Sequence, residues 1–165
     1  MNTDELAQAA IRLLSAERTT IATAESLTGG LVAAALTSVP GASKVFAGGI
    51  IAYSAELKAK LLGVPTGLLD RVGTVDPDVA VAMARGARQR LGAKIGVATT
   101  GVAGPDPVGD LSPGIVYVAV SFAERELHLA LTLEGDRAQI RHDTVRHVLG
   151  LLVSAFEPES AEDNR

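Results

Sequence analysis

A short strand that turns into a helix around one serine constrains the fold of this chain most strongly. Residues 19–25 predict a strand that enters a core, and residues 31–36 predict the alanine-rich part of a helix that is expected over about residues 28–39. Ser26 and two glycines lie in the turn between them. Such a turn raises its side chains to the rim of a sheet, and the first free N–H groups of the helix point at whatever binds there. Ser26 is therefore placed as a nucleophile would be, although a helix cap at Ser26 or Thr28 is the alternative interpretation.

Helices and strands are predicted on both sides of this turn. Apolar residues at helical spacing predict a first helix that ends near Glu17. Residues 45–53 predict a buried strand, in which Gly48 and Gly49 indicate a bulge or the close approach of another backbone. Ser54 predicts the cap of a short helix, which is followed by a predicted loop. The helix is expected over residues 55–62 and the loop over residues 63–74.

The second half of the chain predicts a helix, three strands and a last helix. Asp76-Pro77 combines an N-cap with a proline at the first helical position. The strands are predicted at residues 95–100, 114–122 and 126–133, and the last two are expected to form a hairpin. Gly135-Asp136 predicts the start of the last helix, and residues 157–165 are expected to form a frayed tail.

This order of elements predicts an α/β fold: a three-layer α/β/α sandwich with a mixed, mostly parallel sheet. Its length of 165 residues suits a single domain, with a core expected over about residues 5–155. In such a sheet the loops that leave the carboxyl ends of the strands gather at one rim. Those loops are residues 26–30, 53–58 and 101–107. We therefore expect a binding site where the three loops meet.

Composition excludes several kinds of site. The chain has no cysteine, which excludes disulfides, thiolate nucleophiles and zinc–thiolate centres. A net charge of −4 argues against a general nucleic-acid-binding protein. Apolar runs fall short of the roughly 20 residues of a membrane span, and the acidic N-terminus is unlike a secretory signal. We expect a cytoplasmic protein that contacts neither membrane nor nucleic acid.

A serine nucleophile needs a base, which can be histidine, lysine or a carboxylate. Three histidines are predicted at solvent-facing positions, and G-x-S-x-G is missing, so a Ser-His-Asp triad is poorly supported. Lys58 follows the end of a predicted strand by about one helical turn, so its amine can reach back to the rim. It would have to be neutral, and a solvated side chain is the alternative, as we expect for Lys60. Tyr53 closes the same strand, where packing is its commonest role.

Anion binding is indicated at two places. Arg137 lies in the first turn of the last predicted helix, where a guanidinium and a helix N-terminus together suit a phosphate, although a salt bridge fits the spacing equally well. The loop at residues 101–107 could offer backbone N–H groups. That loop lacks the spacing of dinucleotide-binding and P-loop motifs, and the chain shows no metal-ligand spacing. We therefore expect a site without metal or cofactor.

Four segments, at residues 23–30, 53–58, 100–106 and 135–137, together resemble the C-terminal domain of CinA proteins, a family whose stand-alone chains are nicotinamide-nucleotide amidohydrolases. The resemblance covers about residues 5–155. It implies hydrolysis of the carboxamide of nicotinamide mononucleotide (NMN) to nicotinate mononucleotide and ammonia, within pyridine-nucleotide salvage. It also implies a homodimer or larger homo-oligomer.

The resemblance further implies a role for individual residues. Ser26 would attack the amide carbon, Lys58 would remove the serine proton, and Tyr53 would orient Lys58 or relay the proton. Free N–H groups around Thr28-Gly29-Gly30 could form an oxyanion hole, and Arg137 with the 101–106 loop would hold phosphate and ribose. The implied substrate-binding residues are Thr28, Gly29, Gly30, Gly101, Ala103, Gly104 and Arg137. Whether Arg137 or Arg141 contacts substrate stays open at this point.

Limits and rivals accompany this hypothesis. The match covers the C-terminal domain alone, so nothing that depends on the molybdopterin-binding-like N-terminal domain of larger CinA proteins is carried over. Residues 105–113 vary in such proteins, so no contact beyond Asp106 is transferred. One rival is a catalytically silent module that binds a pyridine nucleotide. The other is an amidase that acts on another nucleotide amide.

Overall fold

The computed structural model of the protein describes residues 1–157, in which three α-helices follow one another between the second and third strands, and a hairpin and a helix come last. The elements in chain order are α1 (Thr3–Ala16), β1 (Ile21–Glu25), α2 (Leu31–Thr37), a short 3₁₀ turn (Ala42–Lys44), β2 (Phe46–Ile51), α3 (Ala55–Leu62), α4 (Thr66–Val72), α5 (Pro77–Arg90), β3 (Ile95–Gly101), β4 (Ile115–Ser121), β5 (Glu126–Thr132) and α6 (Arg137–Ser154). The predicted frayed tail, apart from Glu157, lies outside the described residues.

Within residues 1–157 the strands form one five-stranded sheet in the order β2-β1-β3-β4-β5. β1 pairs in parallel with both β2 and β3, whereas β4 is antiparallel to β3 and to β5. Four of these five strands therefore point the same way. One apolar cluster joins one face of the sheet to α1, α2 and α6, and a second joins the other face to α3 and α5. The predicted three-layer sandwich with a mixed, mostly parallel sheet is confirmed.

β1 lies in the interior of this sheet, and all of its residues are buried. Ile21 packs in the cluster on the α6 side, whereas Ala22 and Ala24 pack in the cluster on the α5 side. Successive strand residues point to opposite faces, so the small alanines meet α5. The strand that precedes Ser26 is thus held in place by side-chain packing on both faces of the sheet.

α2 begins three residues later than predicted, because residues 26–30 form consecutive turns. Gly29 and Gly30 adopt left-handed backbone angles, with φ of 56° and 103°. Such angles favour glycine over residues with a Cβ atom. The two glycines therefore let the chain reverse tightly between the serine and the helix.

The prediction of a buried strand at residues 45–53 was wrong about burial. β2 is an edge strand whose residues alternate between half-buried and exposed, and Ile51 is 53% exposed. Position in the sheet depends on strand order, which local hydrophobicity does not encode. The predicted irregularity is confirmed, because the pairing with β1 skips a residue between Phe46 and Gly48. A Cβ atom on Gly49 would overlap the side chain of Thr23, so what comes close to this glycine is a side chain and not the backbone of the alternative prediction.

The predicted loop at residues 63–74 contains a helix, α4, so that prediction was wrong. None of its residues is buried, which explains why its apolar pattern is weak. Pro65 precedes it and Gly73 follows it, both of which are ordinary boundary signals for a helix. Gly67 inside the helix lowers its intrinsic propensity and hides it from a pattern-based prediction.

Three predicted helix starts are confirmed by their capping bonds. Ser54 Oγ accepts from the Leu57 amide, and the side chains of Asp76 and Asp136 cap α5 and α6 in the same way. The predicted hairpin is confirmed as β4 and β5. Because β1, β2, β3 and β5 point the same way, their carboxyl ends share one rim with the start of α6. No helix of residues 1–157 has the length and apolar character needed to cross a membrane.

Candidate active site

The centre of the site is a contact between Lys58 and Ser26. Lys58 Nζ lies 2.9 Å from Ser26 Oγ. The lysine is 1% exposed and the serine 6% exposed. The two residues are 32 positions apart in the chain, and only the parallel pairing of β1 with β2 brings their loops together. The structure thus joins the predicted nucleophile to the predicted base.

Two main-chain carbonyls complete the surroundings of the Lys58 amine. Nζ donates to Ala52 O at 2.9 Å and to Tyr53 O at 3.1 Å. Burial lowers the pKa of Lys58 from 10.5 to about 8, because removal from water disfavours the charged form. The carbonyl oxygens can only accept, so in the neutral amine both N–H bonds go to them. The lone pair then faces the hydroxyl of Ser26, which is the arrangement of a general base.

Local sequence explains how the lysine reaches this position. β2 ends at Ile51, Ser54 caps α3, and the Lys58 amide closes the first turn by donating to the Ser54 carbonyl. The side chain of Lys58 therefore folds back over the end of the strand, as expected for a helical residue that points towards its N-terminus. Lys60, two positions further on, is exposed as predicted.

A cavity of about 340 Å³ opens beside the serine. It is lined by Ser26, Leu27, Tyr53, Thr74, Val75, residues 100–108 and Arg137. The predicted residues Gly101, Ala103, Gly104 and Arg137 thus share one cavity with the nucleophile. Its size falls in the range of small-molecule sites. Its wall at Thr74 is fixed by Thr100, whose Oγ1 donates to the Thr74 carbonyl at 2.6 Å.

Arg137 holds two parts of the cavity wall together. Its Nη1 donates to Gly104 O at 2.7 Å and its Nη2 donates to Tyr53 Oη at 3.3 Å. The phenol of Tyr53, in an exposed side chain, therefore contacts Arg137, while the carbonyl of the same residue contacts Lys58. Tyr53 can orient Lys58 through its main chain, and its hydroxyl belongs to the arginine end of the cavity.

Thr28, Gly29 and Gly30 do not line this cavity. The Gly29 amide donates to Ser26 O, and the Gly30 amide donates to the carboxylate of Glu25. Thr28 is fully buried, and its hydroxyl contacts Glu25 Oε1 at 2.7 Å. The structure thus places these three predicted substrate-binding residues outside the lining of the cavity, with both glycine amides occupied.

Glu25 was not singled out from the sequence. Its buried carboxylate accepts from the amides of Gly30, Val32 and Ala33, and so caps α2 from inside the sheet. Side chains that accept from the free amides of a helix N-terminus stabilise the helix, which accounts for a buried acidic residue at this place. A glutamate that ends a strand entering the core was the available signal.

Arg141 contacts the turn that follows Ser26 and does not line the cavity. It donates from Nε to Leu27 O at 2.9 Å and from Nη2 to Thr28 O at 3.3 Å, whereas Arg137, one helical turn earlier, lines the cavity. The histidines stay away from Ser26: His128 is exposed on β5, and His142 and His147 lie on α6 outside the cavity lining. The pKa of His147 is lowered, chiefly because the ring is partly buried and secondly because the positive charge of Arg146 is close.

Comparisons with known proteins agree on one family. The family described as CinA C-terminal domain matches residues 3–156. A CinA-like protein of Frankia casuarinae is 46% identical over 149 residues, which are 90% of this chain and 34% of that protein. A CinA-like protein of Parasynechococcus marenigrum is 52% identical over 119 residues, 72% of this chain and 28% of that protein. The chain spans about a third of the length of these relatives.

Solved structures match over nearly their whole length. The competence/damage inducible protein CihA from Agrobacterium tumefaciens has a TM-score of 0.91 at 35% identity, covering 95% of this chain and 97% of that one. A competence or damage-inducible protein from Enterobacter asburiae has a TM-score of 0.92 at 26% identity, covering 95% and 99%. Sequence and structure together show that the chain belongs to the CinA C-terminal domain family.

Proposed function

We propose that this protein is a cytoplasmic amidohydrolase that converts NMN to nicotinate mononucleotide and ammonia, with Ser26 as nucleophile and Lys58 as base. The observation that carries the proposal is the 2.9 Å contact between Lys58 Nζ and Ser26 Oγ in a buried setting that lowers the lysine pKa. A binding module has no need for a buried amine held against a hydroxyl. Paired serine and lysine at this distance meet the geometric requirement for nucleophilic catalysis.

The proposed reaction passes through an acyl-enzyme. Neutral Lys58 takes the proton of Ser26 as Oγ bonds to the carboxamide carbon, and the carbonyl oxygen becomes an oxyanion. The Lys58 ammonium then gives its proton to the departing nitrogen, ammonia leaves and an ester on Ser26 remains. Water attacks that ester with Lys58 again as base, and nicotinate mononucleotide leaves with the Ser26 proton restored.

Oxyanion stabilisation is assigned to backbone amides at the cavity. Leu27 and Ala103 both line it, and their amides form no hydrogen bond within residues 1–157. Leu27 directly follows the nucleophile, a position that supplies an oxyanion donor in other serine hydrolases. One such donor is worth about 2.7–4 kcal/mol of transition-state stabilisation. This assignment replaces the amides of Gly29 and Gly30, which are already bonded elsewhere.

Arg137 is assigned to the phosphate of the substrate. A guanidinium at the first turn of a helix combines a fixed charge with the positive end of the helix dipole. Residues 101–104 line the same cavity, beside Arg137, and are assigned to the ribose. The resemblance of the four motif segments supports NMN over other nucleotide amides.

Ammonia release from NMN by the purified protein tests this function. We expect turnover in the wild type, its loss in Ser26→Ala and Lys58→Met with folding retained, and wild-type turnover in Lys60→Met, since Lys60 is exposed. Activity should survive treatment with a chelator. Binding of NMN without ammonia release would instead establish the silent module, and turnover of another nucleotide amide alone would establish the second rival.

A further inference from the structure

We propose that Arg141 is a positioning residue, which holds the turn that carries Ser26 and acts through main-chain carbonyls without touching substrate. The inference rests on the proposed role of Ser26 as nucleophile. It separates two arginines that lie four positions apart on α6: Arg137 lines the cavity, and Arg141 grips the turn that follows the serine.

The contacts of Arg141 fix the orientation of peptide groups next to the nucleophile. A peptide group is planar and trans, so its C=O and N–H point in opposite directions. Arg141 Nε binds the Leu27 carbonyl, which sets the direction of the Thr28 amide. Nη2 binds the Thr28 carbonyl, which belongs to the same peptide group as the Gly29 amide. That amide donates to Ser26 O at 3.1 Å, and this bond in turn orients the Leu27 amide assigned to the oxyanion.

The hydrogen bonds from Arg141 restrain a turn whose glycine backbone can itself adopt many conformations. Gly29 and Gly30 adopt left-handed angles and have no side chains to restrain them. Glu25 holds the amides of Gly30, Val32 and Ala33, and so fixes the start of α2. The side chain of Thr28, between Ser26 and that helix, is held by Glu25 and Thr99, and Arg141 holds the carbonyls of Leu27 and Thr28. A Cβ atom on Gly29 would lie 3.3 Å from Arg141 Nη2, so the guanidinium also packs on the turn.

Loss of this grip should affect the reaction more than substrate binding. Without Arg141, two carbonyls lose a charged donor and the turn can move relative to Lys58. A displacement of about 1 Å at a reacting group can cost on the order of 100-fold in rate. Phosphate binding at Arg137 and burial of Lys58 should stay unchanged, because the side-chain hydrogen bonds of neither residue involve Arg141.

Steady-state kinetics with NMN give the first test. In Arg141→Gln we expect kcat to fall about tenfold or more, with KM within about twofold of wild type and the pH midpoint of the rate unchanged. Arg141→Lys should recover part of kcat, since an ammonium can still reach one carbonyl. Arg146→Gln on the same helix is the matched control and should behave as wild type, because Arg146 is exposed and faces Asp143. A kcat in Arg141→Gln equal to wild type would overturn the inference.

A fluorophosphonate gives a test that does not depend on the substrate. Ser26 Oγ bonds to phosphorus, the P–F bond breaks, and fluoride leaves while Lys58 takes the serine proton. We expect labelling of Ser26 to slow about tenfold or more in Arg141→Gln, at equal folded fraction by circular dichroism, and Ser26→Ala to remain unlabelled. Slowing that matches only a loss of folded protein would refute positioning. A labelled wild type that leaves NMN intact would refute the proposed substrate and keep the role of Arg141, whereas an unlabelled wild type would refute both.

Discussion

At position 58 the chain buries an amine that most lysines keep in water. Its surroundings are two carbonyl oxygens and one hydroxyl, which accept its hydrogen bonds without supplying a full negative charge. These hydrogen bonds compensate only in part for the hydration that the charged amine loses on burial, so its pKa falls to about 8. This brings a strong base into its neutral form close to physiological pH, where it can take a proton.

The rate should follow the ionisation of that amine. We expect kcat/KM for NMN to rise with pH to a plateau, with a midpoint near 8, because only neutral Lys58 can accept the proton of Ser26. Initial rates of ammonia release between pH 6 and pH 10 measure the profile. Lys60→Met should give the same midpoint. A rate that is constant from pH 7 to pH 9 would contradict the assignment of Lys58 as the base.

Arg137 should govern affinity. We expect Arg137→Gln to raise KM for NMN by about tenfold or more, since a lost charged contact is worth about 1.5–3 kcal/mol. Nicotinamide riboside, which has no phosphate, offers a matched comparison: any turnover of it should respond much less to the substitution. Steady-state kinetics with both compounds provide the measurement. An unchanged KM and kcat for NMN would remove Arg137 from the site.

At the scale of elements, the position of α3 depends on one glycine of its neighbour. A Cβ atom on Gly86, in the middle of α5, would overlap the carbonyl oxygen of Leu62 at the end of α3. Glycine is a poor helix former, so its presence there reflects close packing rather than helix stability. The close packing of α5 against the C-terminal end of α3 therefore holds in place the helix that carries Lys58.

Two glycine-to-alanine substitutions should therefore have opposite effects. Gly86→Ala should lower the free energy of unfolding by about 1–3 kcal/mol, because the added methyl group forces the helices apart. Gly150→Ala in α6, where the methyl group meets nothing within 4 Å, should raise it by about 0.5–1 kcal/mol. Urea unfolding of both variants measures the difference. Stabilisation by Gly86→Ala would show that the two backbones can separate without cost.

Elements with local signals could be predicted from the sequence. The capped starts of α3, α5 and α6 were found because Ser54, Asp76 and Asp136 bond to amides two or three residues away. The exposure of β2 was missed because it depends on which strand lies beside it. α4 was missed because it contributes no buried residue to the core.

The same distinction applies to the site. Ser26 and Lys58 could be nominated from the turn and strand end that carry them, and the structure brings them into contact. The roles of Glu25 and Arg141 could not be predicted, because their partners are main-chain atoms fixed only once the turn has folded. Oxyanion donors were sought at Gly29 and Gly30 for the same reason. The pattern of residues along the chain does not reveal that the amides of Gly29 and Gly30 already have hydrogen-bond partners.

For the molecule as a whole, the buried amine links stability to pH. Between pH 8 and pH 10.5 the unfolded chain holds a proton on Lys58 that the folded protein has released, so the free energy of unfolding rises with pH in that window. Below pH 8 the lysine is charged in both states and its burial is a constant cost. A shift from 10.5 to about 8 corresponds to about 3 kcal/mol at most.

Comparison with Lys58→Met isolates this effect from all other titrating groups. We expect the stability of the wild type relative to Lys58→Met to increase by up to about 3 kcal/mol between pH 7 and pH 10.5. Lys60→Met, compared in the same way, should show no such trend. Chemical denaturation at a series of pH values gives the measurement. A wild-type advantage that stays constant would mean that Lys58 keeps an ordinary pKa, and one that shrinks towards alkaline pH would mean that folding raises this pKa; either result contradicts the expectation.

The Lys58 amine is held by the main-chain carbonyls of Ala52 and Tyr53, and any amino acid at these positions would supply such a carbonyl. Side-chain replacement at either position therefore leaves the two acceptors in place. Evolution can alter the tyrosine ring to suit another ligand, and a Tyr53→Phe protein should retain its low-pKa lysine while losing the link to Arg137. The contact with the amine and the contact with Arg137 thus depend on separate atoms of one residue.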